Sequence, residues 1–445
     1  MEGKTSGSRF QQVKADLLQH LRWLVPGLGV KRWMLVAMLG TTLVGVGLAF
    51  LLLDFYRTVP ETWWLPLVSA AALRFLPRIV RVVIFGGIGL GLILTGIAGI
   101  NRSLMAPFLP RGRRVVEALA DHRRRERGPR VVAIGGGHGL STVLRGFKEY
   151  THNLTAIVSV ADDGGSSGRL RRTMGILPPG DIRNCLAALS SDEAMLTQLF
   201  QYRFPDGEAD LEGHSFGNLF ISALAEITGS FEEAIAESGR VLAVSGQVLP
   251  STLHDVRLVA DVLLPHLINE VRVEGESHIP ESTGKVRRVW LEPNTPLAFP
   301  RAIQAILAAD LILIGPGSLY TSILPNLLVP DIAAAVRSSR ALKIYICNVA
   351  TQPGETDGYT CGDHVRAIEE HVGPLLFDLV VSNNRCQGNL PEGIQWVTTE
   401  DELSEDHAVY RADLIDVSQP WRHDSQKLAQ VLIDLLQERT GPLVE

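Results

Sequence analysis

The stretch from Val131 to Asn184 most constrains what this chain can fold into. An apolar run, Val131-Val132-Ala133-Ile134, passes directly into Gly135-Gly136-Gly137-His138-Gly139-Leu140-Ser141. A second run, Thr155 to Val160, ends in Asp162-Asp163-Gly164-Gly165-Ser166-Ser167-Gly168-Arg169, with a helical stretch, Ser141 to Tyr150, between the two. The pattern recurs at Asp310 to Ile314, which ends in Gly315-Pro316-Gly317-Ser318, and at Lys343 to Cys347, which ends in Asn348 and is followed by Thr351 to Thr356. Continuous apolar runs of this length suit strands buried on both faces of a parallel sheet. Loops at Gly135, Asp162, Gly315 and Asn348 converge only if their strands are parallel neighbours, so the predicted fold is an α/β sheet with its site at the carboxyl strand ends.

The turns differ in chemistry. Four glycines after the first strand let backbone N–H groups approach an anion, and the following helix adds the positive end of its dipole. The turn is no P-loop, since no Gly-Lys-Ser/Thr closes it, and Leu140 and Thr142 stand where a third dinucleotide-type glycine would fall; it reads as a phosphate site or as a plain tight turn. Asp162 and Asp163 put a potential cation or ribose ligand beside the donors Ser166, Ser167 and Arg169, the alternative being a solvated acidic turn. Arg169, Arg171 and Arg172 can bind diphosphate or pair with those acids. Pro178-Pro179-Gly180-Asp181 starts a helix with Asp181 at the expected N-cap, where it is a simple cap or a cleft residue. His214-Ser215-Phe216-Gly217-Asn218 opens another helix, and Ser215 and Asn218, one turn apart beside a glycine, favour ligand contact over a structural histidine.

Farther along, Val241 to Val248 and Leu258 to Leu264 read as strands and Val271 to Lys285 as a hairpin or insertion. Arg301 to Ala309 reads as a helix and Phe377 to Ser382 as a strand. Gly393 to Thr398 and Ala408 to Val417 read as short strands, and Asp424 to Glu438 as a closing helix. Cys185, Cys347, Cys361 and Cys386 have neither CxxC nor zinc spacing and read as thiols of a reducing compartment.

Mean hydropathy is +0.15, and the apolar excess lies near the amino terminus. Residues 33–53 carry no charge over a length of about 31 Å as a helix, and residues 82–100 form a second such run. A buried core helix and, for the first run, a signal peptide are the alternatives; no small-residue cleavage pattern follows Leu53, and the reading adopted is a two-span membrane hairpin. The expected organisation is a cytoplasmic segment 1–32, a hairpin 33–100, a basic linker 101–129 and a nucleotide-binding domain 130–445. Residues 101–130 hold nine arginines against three acids, a composition suited to anionic membrane lipid. No aromatic interleaving accompanies the arginines, so nucleic acid is not an expected partner. Basic residues in the loop between the spans leave orientation open by charge. The expected location is the cell membrane, multi-pass, with the large domain in the cytoplasm, where nucleotides are abundant.

Six blocks carry a family resemblance: Val131–Ser141, Ala161–Leu170, Pro178–Ser190, Glu212–Asn218, Gly315–Pro325 and Cys347–Tyr359. In this order they resemble the YvcK-type gluconeogenesis factors, relatives of the 2-phospho-L-lactate transferases; residues 1–129 lie outside the resemblance. It implies a CofD-like, Rossmann-like, mostly parallel sheet with flanking helices, here preceded by two transmembrane helices. It also implies a binder of UDP-sugar-type ligands linked to cell shape and wall synthesis on gluconeogenic carbon, near cell-wall synthesis machinery, with a homo-oligomer as the expected assembly. The ligand set it suggests is Gly135, Gly136, Gly137, His138, Gly139, Leu140, Asp162, Asp163, Ser166, Ser167, Arg169, Asp181, Asn184, His214, Ser215, Asn218, Gly315, Pro316, Gly317, Ser318, Asn348 and Thr351, with no catalytic residue. The competing function is a metal-dependent phospholactyl-type transferase. Where the transferases carry Pro-Asp-Leu-Asp, this chain has Pro179-Gly180-Asp181-Ile182-Arg183, and arginine cannot ligate Mg²⁺. Mg²⁺ at Asp162 is the one cofactor left open.

Overall fold

A computed structural model describes residues 41, 42, 45, 49, 73, 75–105 and 124–440, the last range without 192–193, 206, 208–210, 265–268 and 283. Two compact units divide the chain, Met1–Arg123 and Arg124–Glu445. In the first, a helix spans Arg78–Met105 and covers the second predicted span. Its stretch Gly86–Thr95 is apolar, and Ile79, Val83 and Ile88 are exposed. Among the described residues no single helix is long and apolar enough to cross a membrane. The segment 1–32, most of the first predicted span and most of the basic linker lie outside the described residues.

The second unit is built on a seven-stranded sheet in the order β10-β9-β8-β7-β1-β2-β3. Its strands are β1 (Val131–Gly135), β2 (Leu154–Val158), β3 (Gln247–Pro250), β7 (Leu311–Ile314), β8 (Leu342–Ile346), β9 (Leu379–Asn383) and β10 (Val409–Ala412). Every pairing is parallel. β1 and β7 are buried along their whole length, which is why both read as unbroken apolar runs. The chain winds outward from β1 to β2 and β3, then returns to place β7 against the other edge of β1, with Val131 opposite Leu311. Crossovers between parallel strands are right-handed as a rule, so a reversal of winding sends the helices of the two halves to opposite faces and opens a crevice at the reversal, here between β1 and β7. Both glycine turns leave from that point.

Helix Gly137–Phe147 packs on helices Gly180–Leu189 and Ser425–Thr440. At Gly146 a Cβ would run into the Ser425 carbonyl and lie 2.7 Å from Ala429 Cβ, so glycine sets the closeness of that helix pair. A separate antiparallel sheet, order β5-β4-β6, is made by β4 (Arg257–Leu263), β5 (Val271–Glu274) and β6 (Lys285–Glu292). It carries the Glu-rich insertion, whose turn Gly275–Ser277 reaches the acidic loop after β2.

Three local expectations change. The first helix begins at Gly137, not Ser141, because Gly136 is its N-cap and the glycine run forms the first helical turn. Val241 closes a helix, Phe231–Val241, capped by the Ser230 hydroxyl accepting from Glu233 N–H, and β3 begins only at Gln247. Gly393 to Thr398 forms no strand; Trp396 bridges Ala350, and Gln395 exchanges hydrogen bonds with Thr351.

Candidate functional site

The two glycine turns touch. A Cβ on Gly139 would collide with the Pro316 carbonyl oxygen and lie 2.7 Å from Gly317 Cα, so only glycine lets the first helical turn seat against the loop after β7. Gly315 has φ +79 and precedes a cis Pro316. Gly317 is held at both backbone groups by Asn348, whose Oδ1 accepts from Gly317 N–H (3.2 Å) and whose Nδ2 donates to Gly317 O (2.9 Å). Ser318 Oγ accepts from Gln352 Nε2 at 2.7 Å. Asn348 and Ser318 therefore hold the shape of the second turn. Buried Glu355 assists them, accepting from Tyr320 N–H (3.3 Å) and the Thr321 hydroxyl (2.9 Å).

The first turn already faces a carboxylate. Gly137 N–H bonds Asp181, and a Cβ at Gly136 would come within 2.9 Å of Asp181 Oδ2. Asp181 lies in the first turn of its helix, whose N-cap is Pro179, so it does not cap its own helix; it serves the neighbouring helix end instead. Burial, then the charge of Asp162, pushes its pKa up to about 6, against the Gly137 hydrogen bond and Arg183. Asp162 is raised as well, chiefly by burial, although Gly164 N–H donates to it at 2.9 Å and the Ser167 hydroxyl bonds it. Glu276, from the insertion, joins this group, its pKa raised by burial and then by Asp162 and Asp181. Asp163 accepts Ser277 N–H at 3.0 Å and fastens the insertion. Among the described residues no group of three or more His, Cys, Asp or Glu side chains is arranged to hold a metal ion.

A donor network lines the loop after β2. Arg169 Nε–H can only donate, so at 3.1 Å His214 Nε2 accepts and the imidazole proton sits on Nδ1. That N–H donates to Ser166 Oγ at 3.0 Å, and Asn218 Nδ2 donates to the same oxygen at 3.1 Å. With both lone pairs of Ser166 engaged, its own O–H is left to donate. His214 is kept neutral by burial, then by Arg169 and Arg203, which lower its pKa. Arg169 also donates to Glu212 O at 2.6 Å, so the Nε and Nη2 of its guanidinium are held by this scaffold. Asn218 is only 2% exposed, and its Oδ1 has no partner among the described residues. An unmet buried acceptor costs about 1–3 kcal/mol.

Other expected contacts turn inward. Leu140 is a fully buried core residue behind the turn. Ser215 is fully buried and caps its helix by accepting from Asn218 N–H at 3.3 Å. Thr351 is buried and accepts from Gln395 N–H. Asn184, beside Gly137, accepts from Arg183 Nη2 at 2.9 Å. Arg183 is 7% exposed, and its Nε has no partner among the described residues.

From His138 a groove of about 460 Å³ runs along the first helix, lined by Ser141, Arg145, Lys148, Asn184, Ser190, Thr197 and Gln201 among others. Burial, then Arg183, Arg422 and Arg145, lower the pKa of His138. Glu276, Arg145 and Lys148 were absent from the residues expected at the site. Only the last two leave a sequence signal, their spacing from His138 on a helix that starts at Gly137.

The family model described as 2-phospho-L-lactate transferase CofD matches residues 131–440. A protein of Nostoc sp. (strain PCC 7120) that carries a provisional gluconeogenesis-factor name is 52% identical over 374 residues, covering 82% of this chain and 79% of its own. The gluconeogenesis factor of Bacillus subtilis is 45% identical over 328 residues, 70% of this chain and 99% of that protein. A crystal structure of a protein from Bacillus halodurans superimposes with a TM-score of 0.65 at 42% identity, covering 69% of this chain and 99% of that one.

Proposed function

The chain belongs to the CofD family, with relatives named gluconeogenesis factors, and from that premise we propose that its cleft binds a UDP-sugar-type nucleotide diphosphate as a signal and does not turn it over. The observation that carries this reading is Arg183. Where the transferases resemble one another in carrying a second acid, this chain buries a guanidinium whose charge acts on both Asp181 and Asp162. A guanidinium supplies positive potential without ligating a metal, which suits binding and deprives a transferase of the ion that would stabilise a leaving diphosphate. Ser166 O–H and Asn218 Oδ1 supply an unused donor and acceptor for sugar or ribose hydroxyls, and Asp162 a further acceptor.

The role this supports is control of cell shape and wall synthesis during gluconeogenic growth. Residues 33–53 and 82–100 would tether the sensor at the membrane, near wall-synthesis machinery.

Titrating the purified full chain with UDP-sugars, with and without a chelator of divalent metal, tests the reading. Affinity should survive chelation, and Asp162→Asn should leave it within about tenfold, roughly 1.4 kcal/mol. Metal-dependent release of a nucleoside monophosphate, lost in Asp162→Asn, would instead establish the transferase.

A further inference from the structure

We propose that the groove between helix Gly137–Phe147 and helices Gly180–Leu189 and Ala194–Gln201 is the site's anion-binding arm, taking the phosphate groups of a phosphorylated ligand against Arg145 and Lys148. This rests on the proposed binding function and specifies which end of the ligand goes where.

The glycine turn was the expected phosphate cradle, but Asp181 already stands in it, bonded to Gly137 N–H. A phosphate there would meet a carboxylate, with Asp162 close enough to raise the pKa of both Asp181 and Glu276. On the far side of the turn the charge reverses. His138, Ser141, Arg145 and Lys148 stand at intervals of three, four and three residues, one face of the helix, extending about 15 Å. Among the described residues no Asp or Glu lines the groove. Arg145 Nε donates to Ser141 O at 3.2 Å and Lys148 Nζ to Ser190 O at 3.1 Å, and among the described residues neither cation has a carboxylate partner.

Elsewhere in this unit several arginines have carboxylate partners. Arg130 bonds Asp310, Arg171 bonds Asp255 and Arg301 bonds Glu232. Arg145 and Lys148 are like charges one turn apart, an arrangement that costs stability until an anion answers it. On the opposite wall the Ser190 hydroxyl donates to Ala187 O at 3.0 Å and lies 2.8 Å from the Thr197 hydroxyl, and Gln201 supplies a neutral amide donor. Asn184 lines the groove and also touches Gly137, joining this arm to the acidic half of the cleft. A ligand is thereby oriented, with phosphates toward Arg145 and Lys148 and hydroxyls toward Asp162, Ser166 and Asn218.

The test compares the full chain with Arg145→Ala/Lys148→Ala by calorimetry, using UDP, inorganic pyrophosphate and uridine as probes and checking each protein's melting temperature. The double variant should bind UDP and pyrophosphate at least tenfold more weakly while its affinity for uridine and its melting temperature stay unchanged. Equal binding of pyrophosphate and UDP by the two proteins overturns the groove and leaves the nucleotide-sugar reading intact. Pyrophosphate binding that is lost in the variant, in a protein that ignores UDP and UDP-sugars, upholds the groove and removes that reading. A wild-type chain that binds neither UDP nor pyrophosphate overturns the proposal.

Discussion

Asp181 concentrates the chemistry of the cleft in one carboxyl. Its pKa is raised to about 6, first by burial and next by Asp162, so the folded state holds its proton more tightly than the unfolded chain does. The stabilisation this gives is fully present below the ordinary value of 3.8 and is lost as pH rises through about 6. Asp181→Asn, which cannot ionise, should therefore be more stable than wild type at pH 8 and lose that advantage near pH 4; denaturant titrations at pH 4, 6 and 8 read the difference. Parallel curves at all three values would show that the carboxyl is not strained. Asp162 and Asp181 were legible as site residues because short motifs place acids beside glycines. Glu276 was not, since it arrives on an insertion whose position depends on Asp163 and Ser277 meeting across more than a hundred residues of chain. Asp163, Arg169 and Ser215 have the right chemical types for ligands, but each is engaged by the scaffold, and residue type alone cannot tell a ligand from its support.

At the level of elements, the strand-and-turn order was legible. β1, β2, β7, β8 and β9 are apolar runs closed by glycine, asparagine or, after β2, aspartate, and that pattern needs only local sequence. Helix starts were less legible. The glycine run satisfies a turn and a first helical turn equally well, and the choice is made by packing, since Gly139 must sit against the Pro316 carbonyl. Gly139→Ala tests this contact. The obstructing atoms are backbone, which cannot swing aside, so the variant should lose about 1–3 kcal/mol of stability, the usual range for overpacking, together with most ligand affinity. Ala at the open position Gly229 is not an equivalent control because φ there is +68. Thermal melts and UDP-sugar titration of Gly139→Ala read both effects; wild-type values for both would mean that the two turns separate without cost.

For the whole molecule, the sequence predicts a hairpin ahead of the sheet domain. The helix Arg78–Met105, with exposed Ile79, Val83 and Ile88, covers its second arm. Fractionation of cells should leave the full chain with the membrane after a high-salt wash, and protease added to intact cells should spare the sheet domain. Recovery of all the protein in the soluble fraction would refute the hairpin. The reversal of winding at β1 has a further consequence, in time. β1 gains its partner β2 early in synthesis, but its other edge must wait until Leu311–Ile314 leaves the ribosome. At about 5–20 residues per second the wait lasts many seconds, during which a central apolar strand presents an unpaired edge. The nascent chain is therefore most exposed to aggregation and to chaperones while its binding cleft has only one wall.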